Sequence, residues 1–167
     1  FGNKSPEGPW ISRELVRLRM WAVASRDYLA RRGTPKTLED LASHELMTWE
    51  CPGEDAGHWP LLHGGSYPVR SMTLTRHIHL IRQFAIAGLG IALVPDAMLP
   101  DPGVEEGTLI PVLPDIIGKD VGVRCMIPAV LWEIPRIRAV VELLRPFLGE
   151  FGVETSFRPA SANPKKS

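Results

Sequence analysis

"VASRDYLARRGTPKTLEDLASHELMTW", residues 23–49, is the stretch on which the fold turns. It opens inside a short apolar strand expected over residues 19–24, where Met20, Trp21 and Val23 form a run that Ser25 ends. Ser25 has the chemistry of a helix N-cap, because a serine hydroxyl accepts from the free N–H groups of a first helical turn. A short helix is expected to follow through Asp27, Tyr28 and Leu29 to Arg31. Basic residues fill its last turn and Gly33 stands just past its end, as the helix dipole and a left-handed cap prefer. Thr34 and Pro35 break the chain. Thr37 and Asp40 then make a variant of the capping box that opens a second short helix carrying Leu38, Leu41 and Ala42. Residues 44–49 read as a returning strand.

Downstream, residues 51–68 are rich in Gly and Pro without periodicity, and read as loops with at most a short strand at 59–62. Residues 69–74 alternate in strand fashion. Thr75 is placed to cap a helix running to Ala87, because Ile78, Ile81 and Ala85 recur at helical spacing with Leu80, Phe84 and Ala87 beside them. Gly88 supplies the C-cap, and residues 90–94 form the continuous apolar run of a buried parallel strand, ended by Pro95. A short element at 97–99 and a Pro-Asp-Pro-Gly turn precede strands expected at 107–113 and 121–127. Residues 134–148 carry the strongest helical pattern: Pro135 suits the first turn, and Ile137, Val140, Val141, Leu144 and Leu148 share one face. Beyond Phe151 the composition turns to Ser, Pro, Ala, Asn and Lys, so the tail 151–167 is expected to be disordered. Strands alternating with helices argue for an α/β fold with a mostly parallel sheet.

Composition narrows the function. Nineteen Lys plus Arg against nineteen Asp plus Glu leave no net charge, so the basic field expected of a DNA-binding domain is absent. No apolar stretch approaches the roughly 18 residues of a membrane span. Cys51 and Cys125 lack the paired spacing of a metal knuckle or redox motif and read as reduced thiols. His77 and His79 lie two apart on a helix and point to different faces, so no metal is expected there. His44, His58 and His63 are scattered, no nucleophile elbow occurs, and the glycines of residues 87–90 close a helix rather than open one after a strand. The expectation is therefore of a protein that is not an enzyme and takes no cofactor. The start at Phe1, followed by a polar Gly- and Pro-containing stretch, reads as a piece of a longer chain.

In α/β sheets, ligands gather at the carboxyl ends of strands and at helix N-termini. Two positions fit: Ser25 after the first strand, and the group Thr75, Arg76 and His77 after the fourth. A helix N-terminus carries about half a unit of positive charge, and Arg76 adds a fork-shaped donor, so the second group is a candidate site for an organic anion. The plain alternative is that Ser25 and Thr75 only cap helices and that Arg76 and His77 are solvated first-turn residues.

Residues 23–49, together with "LIRQFAIAGLGIALVPDAM" (80–98), "GTLIPVLPD" (107–115) and "IPRIRAVVELLRPFL" (134–148), resemble the effector-binding domain of LysR-type transcriptional regulators. The resemblance covers residues 10–150, and the order and spacing of the segments make it more specific than any one motif. It implies a fold like that of type 2 periplasmic binding proteins, with two α/β lobes, two crossovers and an effector cleft between the lobes. On that resemblance residues 1–12 are the remnant of a crossover from a first lobe, 13–115 are the second lobe, and 116–150 are the crossover and final helix returning to the first. A winged helix-turn-helix, a linker helix and first-lobe strands would lie outside these residues. The implied function is a bacterial, cytoplasmic sensor of a small-molecule effector that self-associates as a dimer or tetramer and reaches DNA only through the attached domain. The alternative is an extracytoplasmic solute-binding protein, or a related enzyme, of the same fold. The family commonly places small polar residues such as Asn-Asp where this chain has Arg76 and His77, so its effector contacts are not carried over.

Overall fold

Every position from Met20 to Ala24 is apolar and buried, and a strand of that kind has no face to give to water. It must be covered on both sides. Met20, Ala22 and Ala24 enter one core with Leu41, Trp59, Ile91 and Ile117, while Trp21 and Val23 enter a second with Met47, Ile81, Ala85 and Val94. The computed structural model describes residues 8–50, 55–95 and 108–149, and in it this segment is the inner half of a 16-residue strand, β1 (Trp10–Ser25). β1 runs unbroken across the division expected at residue 12.

Helix α1 (Arg26–Arg32) follows directly, then a 3₁₀ turn (Glu39–Ser43) and strands β2 (Leu46–Trp49), β3 (His58–Pro60), β4 (Ser66–Pro68) and β5 (Thr73–Thr75). Helix α2 (Ile78–Ile86) leads to β6 (Ile91–Pro95), and after the segment 96–107 come β7 (Leu109–Pro111), β8 (Lys119–Pro128), α3 (Ala129–Trp132) and α4 (Pro135–Gly149). The main sheet has the order β5-β2-β6-β1-β7, with β8 also paired to β1. α2 lays Ile81 and Ala85 on one face. Tyr28 and Leu29 of α1, Leu41 of the 3₁₀ turn, and the β3–β4 hairpin through Trp59 cover the other.

The expected mostly parallel sheet is instead mixed. β2 pairs in parallel with β5 and β6, but β1 pairs antiparallel with β6, β7 and β8. A run that is apolar on both faces demands two covering layers whichever way its neighbours point, so its composition does not report direction. The chain from Leu109 to Pro128 retraces β1 almost end to end, pairing first Ser25 to Val23 and then Met20 to Trp10. Both pairings are antiparallel.

Local signals mostly hold. Gly33 ends α1 with a positive φ, and its N–H donates to the Leu29 carbonyl at 2.9 Å. The Thr37–Asp40 box forms: the Asp40 carboxylate accepts from the Lys36 and Thr37 N–H groups at 2.9 Å each, and Thr37 Oγ1 accepts from the Asp40 N–H at 3.4 Å. Those donors hold the Asp40 carboxyl below its ordinary value. The element it opens is a 3₁₀ turn rather than an α-helix. Thr75 does not cap α2. It is the last residue of β5, and His77 occupies the N-cap without a side-chain bond. The strand expected over 69–74 is confined to Thr73–Thr75, and α3 was not anticipated. The element expected at 97–99 and the tail 151–167 lie outside the described residues, as does Cys51.

α4 forms over the expected span, but only Val141 of its apolar face is buried. Val140, Leu143 and Phe147 remain 55%, 72% and 57% exposed. Covering a side chain of this size contributes about 1.5–3 kcal/mol, so a polypeptide of these 167 residues is expected to self-associate through α4. Sedimentation velocity should show mass rising with concentration, and the double substitution Val140→Glu with Leu143→Glu should return it to monomer. A wild-type monomer at high concentration would overturn the expectation.

Candidate functional site

The carboxyl ends of β2 and β5 lie side by side. The two strands are parallel with Trp49 opposite Thr75, and the Glu50 N–H extends the ladder to the Thr75 carbonyl at 2.8 Å. The Trp49 indole N–H reaches across to the Arg76 carbonyl at 3.1 Å. These two bonds fix the backbone on both sides of a small polar group. Arg76 Nε donates to Glu50 Oε2 at 2.9 Å and Nη2 to Oε1 at 3.4 Å, a fork against a carboxylate. The guanidinium holds the Glu50 carboxyl below its ordinary value. The side chains stay open to solvent, 75% for Arg76 and 38% for Glu50.

Thr75 and His77 complete the turn into α2. Thr75 Oγ1 accepts from the His77 N–H at 3.2 Å. The His77 carbonyl accepts from the N–H groups of Leu80 and Ile81, at 3.1 and 3.2 Å, which starts the helix. His77 is exposed. The three residues Thr75, Arg76 and His77 are therefore brought together, at the edge where β6 ends at Pro95 and β1 leaves the sheet toward its pairing with β8. Glu50 and Trp49 were missed from the sequence. The only signal they offered was a position at the end of an expected strand, which says nothing about which neighbour that end will meet.

Ser25 is not part of this group. β1 is antiparallel to β6, with Met20 opposite Pro95 and Val23 opposite Ala92, so its carboxyl end falls at the opposite edge of the sheet. The nine residues of α2 span the two edges, on the order of 13 Å at 1.5 Å per residue. Ser25 is buried and its Oγ accepts the Tyr28 N–H at 3.2 Å, the bond of an N-cap. Arg31 Nη2 donates to the Gly88 carbonyl at 2.9 Å. Gly88 has φ +71°, and a Cβ there would lie 3.1 Å from Ser25 Oγ. At this edge Arg31, in the last turn of α1, ties that helix to the turn that follows α2.

Beside it, the Tyr28 hydroxyl accepts from the Glu45 N–H at 3.0 Å, which leaves its own hydrogen for His44 Nδ1 at 3.1 Å. Burial of the ring, then the Arg32 guanidinium, holds His44 below the ordinary value of 6.5, with Asp40 acting against them. The folded state thus favours neutral imidazole. Its contribution is complete above pH 6.5 and is lost as pH falls through the lowered folded value.

Recesses occur elsewhere. One of about 310 Å³ lies between β1, α3 and α4, bordered by Arg13, Glu14, Trp132 and Arg145, and another of about 390 Å³ lies at the hairpin beside Asp55, His58 and Lys119. In the first, the Arg13 guanidinium sits 4.7 Å from the centre of the Trp132 ring. Neither includes a residue expected from the sequence to bind. Among the described residues, no three His, Cys, Asp or Glu gather as a metal would require, and no helix is long and apolar enough to cross a membrane.

Residues 2–149 match the family model described as the LysR substrate binding domain. Over 104 residues the chain is 34% identical to the HTH-type transcriptional regulator CrgA of Neisseria meningitidis serogroup C (strain 8013), a match that takes in 61% of this chain and 34% of that protein. The chain thus spans about a third of the length of that curated relative. The solved CrgA regulatory domain from Neisseria meningitidis superposes with a TM-score of 0.75 at 26% identity, over 88% of this chain and 72% of that one. The regulatory domain of the C227S variant of AphB from Vibrio vulnificus superposes at 0.68 with 21% identity, over 87% of this chain and 71% of that one, a likeness of fold. The fold is accordingly that of LysR regulatory domains, mixed α/β and like the type 2 periplasmic binding proteins.

Two outcomes separate scaffold from site. Ser25→Ala should cost about 1 kcal/mol of stability through loss of its cap, read as a lower midpoint in urea, with no change in ligand affinity; a changed affinity at constant stability would return Ser25 to the site. Lowering pH from 7.5 to 5.5 should reduce the wild-type urea midpoint, and His44→Gln should flatten that dependence. An equal slope in both proteins would remove His44 as its source.

Proposed function

This chain belongs to the LysR substrate-binding-domain family, and on that premise we propose that it is the ligand-sensing module of a bacterial transcriptional regulator. A small molecule bound between two lobes changes their relation, and through it the arrangement of a DNA-binding domain attached outside these residues. The ligand needs only to bind the two arrangements with different affinity. The balanced charge supports a module that does not itself hold DNA. The relatives it matches are regulators, which favours sensing over catalysis and over solute transport, a cytoplasmic location, and self-association in the full-length protein. Residues 13–115 are proposed as the sensing lobe and 116–150 as the return toward its partner lobe.

The observation that carries the site is the edge at which β2, β5 and β6 all end. Parallel strands deliver their carboxyl ends to one side, where α/β proteins collect ligands, and this side faces the long β1–β8 ribbon that leaves the sheet. Thr75, Arg76 and His77 stand there, with Glu50 and Trp49 beside them. Arg76 receives the carboxylate of the effector.

Calorimetry on the full-length protein tests this. Arg76→Ala should weaken a carboxylate-bearing effector about 10-fold to 150-fold, the loss of a charged hydrogen bond, with the melting temperature almost unchanged because exposed ion pairs contribute little. Thr75→Ala should lower stability slightly as well, since it frees the His77 N–H. Unchanged affinity in Arg76→Ala would sink the assignment.

A further inference from the structure

We infer that the effector is a free α-amino acid, recognised as a zwitterion by Arg76 and Glu50 together. The inference rests on the reading that this edge is the effector site, and it names the chemical class the edge selects. Arg76 does not wait as a lone cation, because its fork already holds the Glu50 carboxylate, 2.9 Å away on the neighbouring strand end. The closed pair is neutral, so it exerts no net pull on an anion. A ligand with a carboxylate alone would have to displace Glu50 and leave two negative groups beside one guanidinium. A zwitterion opens the same pair and leaves no charge unmatched, its carboxylate on Arg76 and its ammonium on Glu50.

Geometry favours that exchange. The backbones carrying the two heads are tied by the Glu50 N–H to the Thr75 carbonyl and by the Trp49 indole to the Arg76 carbonyl, so the side chains open without moving the strands. Both heads reach solvent, and an exposed ion pair of this kind adds little to stability, so parting it costs little. In an α-amino acid the ammonium and carboxylate share one carbon, so the heads separate only by the short span of the ligand. Glu50 is ionised at neutral pH in either state, since its ordinary value is 4.5 and Arg76 only lowers it.

The test is calorimetry on the full-length protein with the common α-amino acids, each paired with the 2-hydroxy acid that keeps the carboxylate and lacks the ammonium. At least one amino acid should bind, with its hydroxy-acid partner weaker by about tenfold or more, the loss of one charge-assisted pair. Glu50→Gln should weaken the amino acid by about tenfold and leave the hydroxy acid unchanged or tighter. Arg76→Ala should weaken both. Failure of every amino acid to bind, or a hydroxy acid that binds wild type as tightly as its amino acid, overturns the inference. If a hydroxy acid binds tightly and Arg76→Ala weakens it, the effector edge stands and only the zwitterion falls. If ligands bind and ignore Arg76→Ala, the edge itself is wrong.

Discussion

The structure hangs on the inner half of β1 being buried on both faces while the strand's backbone is paired along nearly its whole length. Five successive apolar residues, Met20 to Ala24, send alternate side chains into two separate cores. Their peptide groups must also find partners, because a buried unpaired N–H or carbonyl costs about as much as a lost hydrogen bond. β6 supplies the ladder on one side, and the returning chain from Leu109 to Pro128 supplies it on the other. Everything else is arranged around these demands: α2 covers the face of Trp21 and Val23, and α1, the 3₁₀ turn and the hairpin cover the face of Met20, Ala22 and Ala24.

The hairpin shows how the second face is closed. Trp59 has no exposed surface, and its indole N–H donates to Thr48 Oγ1 at 2.9 Å. Thr48 lies in the centre of β2 and also shares a hydrogen bond with Ser71. A large ring thus pins a two-stranded hairpin, marginal by itself, to the main sheet, and the buried polar atoms find partners in one another.

The direction of β1 divides the sheet's two edges between structure and candidate site. Because β1 is antiparallel to β6, the edge that receives the carboxyl ends of β2, β5 and β6 receives the middle of β1, where it leaves for β8. The far edge receives Ser25, Arg31, Gly88, Tyr28 and His44, nearly all of them engaged with one another. The near edge has exposed heads, Arg76, Glu50 and His77, on a backbone that is held. Polar groups consumed in fixing the chain leave little for a ligand, while exposed heads on fixed strands provide the pre-organisation that recognition needs.

How much of this was legible beforehand depends on the range of the interaction. The N-cap at Ser25, the reversal at Gly33, the reciprocal bonds of Thr37 and Asp40, and the helices α1, α2 and α4 were all readable, because each is decided by partners within a few residues. Thr75 was misread as a cap although its hydroxyl does bond the turn. Whether β5 ends at residue 74 or 75 depends on its register with Trp49 of β2, a pairing between distant residues. The order and spacing of the four quoted segments along the chain sufficed to mark the family resemblance. Strand direction was not legible, since apolar composition records that a face is covered and not which way the neighbouring strand runs. For that reason the sequence by itself determined most of the elements and the candidate turn at Thr75, Arg76 and His77, but not the β3–β4 hairpin or α3. Only the tertiary structure decided that Ser25 lies at the other edge and that Glu50, 26 residues before Arg76, is the group that meets it, because parallel pairing of β2 with β5 joins residues that no local rule connects.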